Sequence, residues 1–138
     1  MTTLLKALII TLCFGPWPLV QAGERARIAI VGDMDGISMG QDGYCGARVA
    51  VRPEAWKNIL VDGDAQTWVW LKGTVYTPNA RHICESDYTF TPAAGATYIL
   101  RYSFVNDRCL GELFRAVKGQ DPVREPLERE ANRSCLKE

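Results

Sequence analysis

Between positions 25 and 117 the apolar residues come in short runs that alternate with polar ones and are broken by turn residues, a pattern of strands rather than helices. Arg27-Ile28-Ala29-Ile30-Val31 predicts a first strand, and Gly32-Asp33-Met34-Asp35-Gly36 opens a glycine-rich stretch to Gly46 that reads as too polar for the core. Residues 47–51 alternate as a second strand, with Val49 and Val51 on one face. Pro53 suits the first position of a helical turn that includes Trp56, and Ile59-Leu60-Val61 runs into the turn Asp62-Gly63-Asp64. Residues 67–71 and 73–77 are rich in β-branched and aromatic side chains and predict two more strands.

The sharpest local prediction is a hairpin. Residues 98–105 meet residues 108–114 across Asn106-Asp107, two residues that tolerate positive φ. In that register Leu100 faces Leu113 and Phe104 faces Cys109, while on the other face Arg101 lies opposite Glu112 and Ile99 opposite Phe114. Apolar and charge pairing are satisfied together, and a one-residue slip spoils both.

Phe90-Thr91-Pro92-Ala93-Ala94-Gly95-Ala96-Thr97-Tyr98 resembles the corner joining the two sheets of immunoglobulin-like sandwiches, where a tyrosine near the start of a strand bonds to upstream backbone. Antibody domains carry a cysteine two residues after that tyrosine; position 100 here is Leu. With Ile59-Leu60-Val61-Asp62-Gly63, the segment is similar to small sandwich modules of bacterial envelope proteins, including the PEGA-like kind. That resemblance implies a fold and an extracytoplasmic setting, and it implies no assigned chemistry.

The ends read differently. Lys6 precedes an apolar run from Ala7 to Leu12, which continues through Phe14 to Val20-Gln21-Ala22, a secretory signal with a small-x-small cleavage site over residues 1–22. Cys13 lies within it, and Leu12 directly before it is unlike the small residue a lipidated cysteine needs. Residues 118–138 turn polar, and Pro126 is placed to open a short, weakly amphipathic helix over 126–136. The expected architecture is therefore all-β: a single antiparallel β-sandwich over residues 23–117, after a cleaved signal peptide, with a C-terminal tail helix tethered by a disulfide.

Cleavage leaves about 116 residues, 138 minus 22, enough for one domain with its own core. It removes Lys6 and no acid, so the balance of 16 basic and 16 acidic residues becomes 15 against 16. A near-neutral chain argues against nucleic acid as a partner, and no other window approaches the length of a transmembrane segment. Four cysteines remain, Cys45, Cys84, Cys109 and Cys135, an even count that in an exported chain reads as two disulfides. Their spacing is unlike a zinc site. Three connectivities are open; the inward Cys109 as the tie for Cys135, leaving Cys45 with Cys84, is the expected one.

Candidate chemistry is sparse. His82, the single histidine, has Arg81, Cys84, Glu85 and Asp87 nearby, a set from which a general base with a carboxylate partner could be built, although a loop histidine is the simpler reading. No serine lies in a nucleophile elbow. Asp33, Asp35, Asp42, Asp62 and Asp64 offer oxygen ligands without EF-hand spacing, so turns are expected there and no metal or cofactor. Trp68 and Trp70, two apart on a strand, project to one face with Lys72 beyond them. These three are the candidate binding residues for a glycan or protein partner, with burial of at least one tryptophan expected. Trp56 is a third aromatic candidate, its position not fixed by the sequence. The leading expectation is an exported, periplasmic or extracellular, non-enzymatic binding or structural protein of the bacterial envelope. A periplasmic inhibitor of a lysozyme or protease, acting through an exposed loop over residues 33–44, and a small hydrolase centred on His82 are the alternatives.

Overall fold

A computed structural model describes residues 24–131 and 135. The candidate signal segment and Cys13 lie outside them. Ten strands form two sheets: β1 (Arg25–Gly32), β2 (Gly36–Gly40), β3 (Val49–Ala50), β4 (Ile59–Asp62), β5 (Thr67–Thr77), β6 (Ala80–Phe90), β7 (Thr97–Val105), β8 (Arg108–Ala116), β9 (Val123–Glu125) and β10 (Glu128–Glu130). One sheet has the order β4-β1-β7-β8-β9 and the other β10-β6-β5-β2-β3. All pairs are antiparallel except β1 with β7.

The hairpin of β7 and β8 forms in the predicted register, with Leu100 opposite Leu113, Phe104 opposite Cys109, Arg101 opposite Glu112 and Ile99 opposite Phe114. Asn106 and Asp107 take φ of 50° and 59°, the left-handed pair that a two-residue turn between right-twisted strands requires. The Arg101 guanidinium donates to Glu112 Oε2 at 2.6 Å across it. The corner between β6 and β7 also forms: the chain crosses from one sheet to the other, and the Ala93 N–H donates to the Tyr98 hydroxyl at 2.8 Å.

The core lies between the sheets, filled from one side by Ile28, Ile30, Leu100, Tyr102 and Leu113 and from the other by Ile37, Val69, Leu71, Tyr88 and Phe90. Two tyrosines carry their polar ends across it. Tyr88 of β6 accepts from the Gly111 N–H of β8 at 2.9 Å, where any side chain at Gly111 would strike the ring, and Tyr102 of β7 shares a hydrogen bond with Ser86 of β6 at 2.8 Å. Each buried hydroxyl is thereby satisfied.

Four sequence expectations change. Residues 67–71 and 73–77 are one continuous strand, β5; Gly73 carries it through a point where a side chain would collide with the Asp33 carbonyl. The glycine-rich stretch contains β2, whose Ile37 and Met39 are core residues, so residues 33–44 are not a free loop. Where a tail helix is expected, β9 extends one sheet beside β8 and β10 extends the other beside β6, with Leu127 packing against the core between them. Open sheet edges offer this weakly amphipathic segment backbone partners at once, which an isolated short helix cannot match.

The disulfides are Cys84–Cys109 and Cys45–Cys135, not the expected pairing. Cys109 does face inward, and so does Cys84, 3% exposed on the inner face of β6; they join sheet to sheet. Cys135 instead reaches Cys45 in the β2–β3 connection. Loops of these separations, 25 and 90 residues, are each stabilised by roughly 3 to 5 kcal/mol in the chain-entropy account.

Burial pushes the Tyr102 phenol above the usual tyrosine range, against the opposing pull of the Ser86 hydrogen bond. Above about pH 10 the folded state therefore holds this proton more tightly than the unfolded chain does, and stability falls as pH rises. Urea denaturation between pH 8 and 11 is expected to show that decline, with a shallower slope in Tyr102→Phe.

Candidate functional site

The pairing of β5 with β6 builds the outer face of its sheet. Val69 and Leu71 point into the core, so alternation sends Trp68, Trp70 and Lys72 outward. The register sets them opposite Thr89, Asp87 and Glu85 of β6 on one side and Gly40, Ser38 and Gly36 of β2 on the other. Small residues at Gly36 and Ser38 leave a trough beside the tall Trp70, about 420 Å³ in volume, walled on its far side by Pro53 and Trp56. The Trp56 indole N–H donates to the Val51 carbonyl at 2.9 Å, which holds this third tryptophan in the wall.

A second groove of about 450 Å³ meets the first at Trp70 and runs beneath the Cys45–Cys135 disulfide. The connection from β2 to β3 leans over the sheet here. The Tyr44 hydroxyl donates to Asp87 Oδ2 at 2.9 Å, its ring sits 6.1 Å from that of Trp70, and the Arg48 guanidinium carbon lies 4.9 Å from the Trp70 ring centroid. Lys72 and Glu85 approach at 3.8 Å with both side chains exposed, a contact worth little in water and free to be exchanged for a ligand. An aromatic surface, two cationic donors and two carboxylate acceptors thus converge from both ends of the sheet's face. Such a set suits a flat, polyhydroxylated or extended polar ligand that can stack and hydrogen-bond at once.

The three binding candidates divide. Trp70 and Lys72 line the trough. Trp68 is 9% exposed, and its indole N–H has no acceptor among the described residues. His82 is separated from Glu85 and Asp87 by the alternation of β6: it faces inward, stacks on Phe104 with centroids 4.8 Å apart and contacts the Thr77 hydroxyl at 3.4 Å. Ser86 is committed to Tyr102 within the core. Among the acidic turns, Asp33 accepts from the Phe104 N–H at 3.1 Å and Asp64 from the Ala94 N–H at 3.3 Å. No group of three or more His, Cys, Asp or Glu side chains converges among the described residues.

Arg48 is absent from the sequence-based candidates, Tyr44 enters there only as the last residue of the loop 33–44, and Glu85 and Asp87 only as neighbours of His82. The missing signal was the hairpin about Pro78-Asn79: once Thr77 pairs with Ala80, every outward residue of β6 is assigned an outward partner on β5. Nothing local in residues 41–48 shows that they fold back over a tryptophan.

Compared with protein-family models, curated proteins and solved structures, the chain matches none.

Trp68 and Trp70 are expected to respond differently to replacement. Trp68→Ala is expected to lower stability by about 3 to 5 kcal/mol, the usual cost of emptying a buried aromatic site. Trp70→Ala, part of a groove wall, is expected to cost about 1 to 2 kcal/mol. Urea denaturation of the two variants checks the asymmetry.

Proposed function

We propose that this chain is an exported, non-enzymatic binding protein of the bacterial cell envelope, and that a glycan of that envelope stacks on Trp70. The observation that carries the reading is the placing of Trp70 where two grooves meet, with Arg48, Lys72, Glu85 and Asp87 around its indole. Sugar rings present an apolar face to an indole and hydroxyls at their rim to carboxylates and cations, and this wall offers both. Export is supported by two disulfides in a small fold and by the N-terminal pattern; no helix among the described residues is long and apolar enough to cross a membrane. The envelope setting rests further on the resemblance of residues 90–98, with residues 59–63, to envelope sandwich modules.

A second reading, inhibition of a lysozyme or protease, draws support from residues 41–48, a partly exposed segment pinned at both ends by β2 and β3 and in the middle by the Cys45 disulfide. Pinned loops lose little entropy on docking into a cleft.

Titration of the oxidised protein with soluble peptidoglycan fragments and envelope oligosaccharides, followed by tryptophan fluorescence, is the test. Saturable binding is expected, weakened at least about tenfold by Trp70→Ala, a loss of about 1.4 kcal/mol, and unchanged by His82→Ala. Inhibition of a lysozyme or serine protease without glycan binding would replace this reading with the second. Turnover of any glycan, lost in His82→Ala, would instead make the chain an enzyme.

A further inference from the structure

We propose that β6 is the seam of a symmetric dimer, in which a second copy of this chain adds its own β6 antiparallel about Ile83. The tail strand β10 covers only Asp87, Tyr88 and Thr89 of β6, so along residues 80–86 no strand among the described residues occupies the side away from β5. A row of backbone donors and acceptors left open on an edge is a template for another strand, and proteins ordinarily block it with charge, proline or a bulge. This edge carries two charges whose arrangement does the opposite.

Two copies related by a two-fold axis at Ile83 bring Arg81 of each opposite Glu85 of the other, with Ile83 facing Ile83 between them. All three project to the outer face of the sheet, and Ile83 is an apolar side chain 55% exposed among the described residues. Arg81 makes no salt bridge among the described residues, and Glu85 has only its long contact with Lys72. Directly opposed charges of unlike sign and opposed aliphatic side chains both stabilise an antiparallel pair. The axis also falls at the centre of the open stretch 80–86. A shift by two residues in one direction leaves both charges unmatched, and in the other it runs Arg81 onto Asp87, which β10 already covers. Register is thus specified by the same residues that supply the attraction.

The second sheet repeats the pattern beside it. β9 pairs only Leu113, Phe114 and Arg115 of β8, so among the described residues no strand covers 108–112 on that side, and Leu110 is 46% exposed. Ile83 and Leu110 flank the Cys84–Cys109 disulfide and line one groove of about 520 Å³ along this side of the sandwich. Glu112 is already engaged by Arg101 and Arg124, so the charge pairing that selects the dimer belongs to β6.

Sedimentation equilibrium of the oxidised, signal-free chain over a concentration series tests the proposal. A reversible dimer is expected. Arg81→Glu and Glu85→Arg, each placing like charges opposite one another twice per dimer, are each expected to raise its dissociation constant at least about tenfold. The double variant restores the match and is expected to return to within about threefold of the parent. All positions are exposed, and circular dichroism confirms that each variant is folded. Amide hydrogen exchange of the unmodified protein gives an independent readout, with protection over residues 80–86 rising as the dimer fills. A chain that stays monomeric up to about 1 mM overturns the proposal. So does a dimer indifferent to the single swaps, or one that the double swap fails to restore. Glycan binding is scored on Arg81→Glu, which lies outside both Trp70 grooves, so either idea can fail alone.

Discussion

The pairing of β5 with β6 is the constraint on which the rest of the molecule depends. From Thr67 opposite Phe90 to Thr77 opposite Ala80 the register runs without a bulge, so the inward or outward direction of every side chain on both strands follows from one assignment. Val69, Leu71, Tyr88 and Phe90 fill the core, and the same alternation sends Trp70, Lys72, Asp87 and Glu85 to the outer face. The same parity turns Cys84 toward Cys109, commits Ser86 to Tyr102 and parts His82 from the two carboxylates nearest it in sequence. Core, inter-sheet disulfide and surface groove are three consequences of one ladder.

The sheet edges are treated unequally, and that inequality shapes the surface. The tail spends its two short strands on the far ends of β8 and β6, and Leu127 closes the gap between them. It then joins Cys45, tying the C-terminal segment to the connection that leans over Trp70. One device thereby covers part of two edges and roofs a groove. Among the described residues no strand covers the near halves of β6 and β8, which are bridged by the other disulfide and carry Ile83 and Leu110. Edge strands of this length are seldom left bare, which is why their charge pattern matters more than their mere exposure.

Two tyrosines explain how a sandwich this thin keeps polar groups inside without loss. Tyr88 and Tyr102 come from opposite sheets, meet edge to face with centroids 6.3 Å apart, and each delivers its hydroxyl to a partner on the other sheet. Both contacts demand a fixed separation and offset of the sheets, whereas aliphatic packing tolerates slippage. Gly111 is part of the same arrangement, since only a residue without a side chain leaves room for the Tyr88 ring.

Local pattern determined much of this fold. The Asn106-Asp107 hairpin, its register and its ion pair are legible because residues close in sequence must match on both faces at once, and the Tyr98 corner is legible because proline, glycine and tyrosine each serve a distinct backbone need there. The outward projection of Trp70 and Lys72 follows from alternation alone once Val69 and Leu71 are taken as core. Everything that joins distant segments had to wait for the tertiary structure: the disulfide pairing, the conversion of the tail into two edge strands, the burial of Trp68 and the arrival of Tyr44 and Arg48 over Trp70. Local propensity constrains a residue's direction relative to its own strand. Which strand it then meets depends on sheet order and on which edges stay open, quantities that belong to the whole chain and to no window of it.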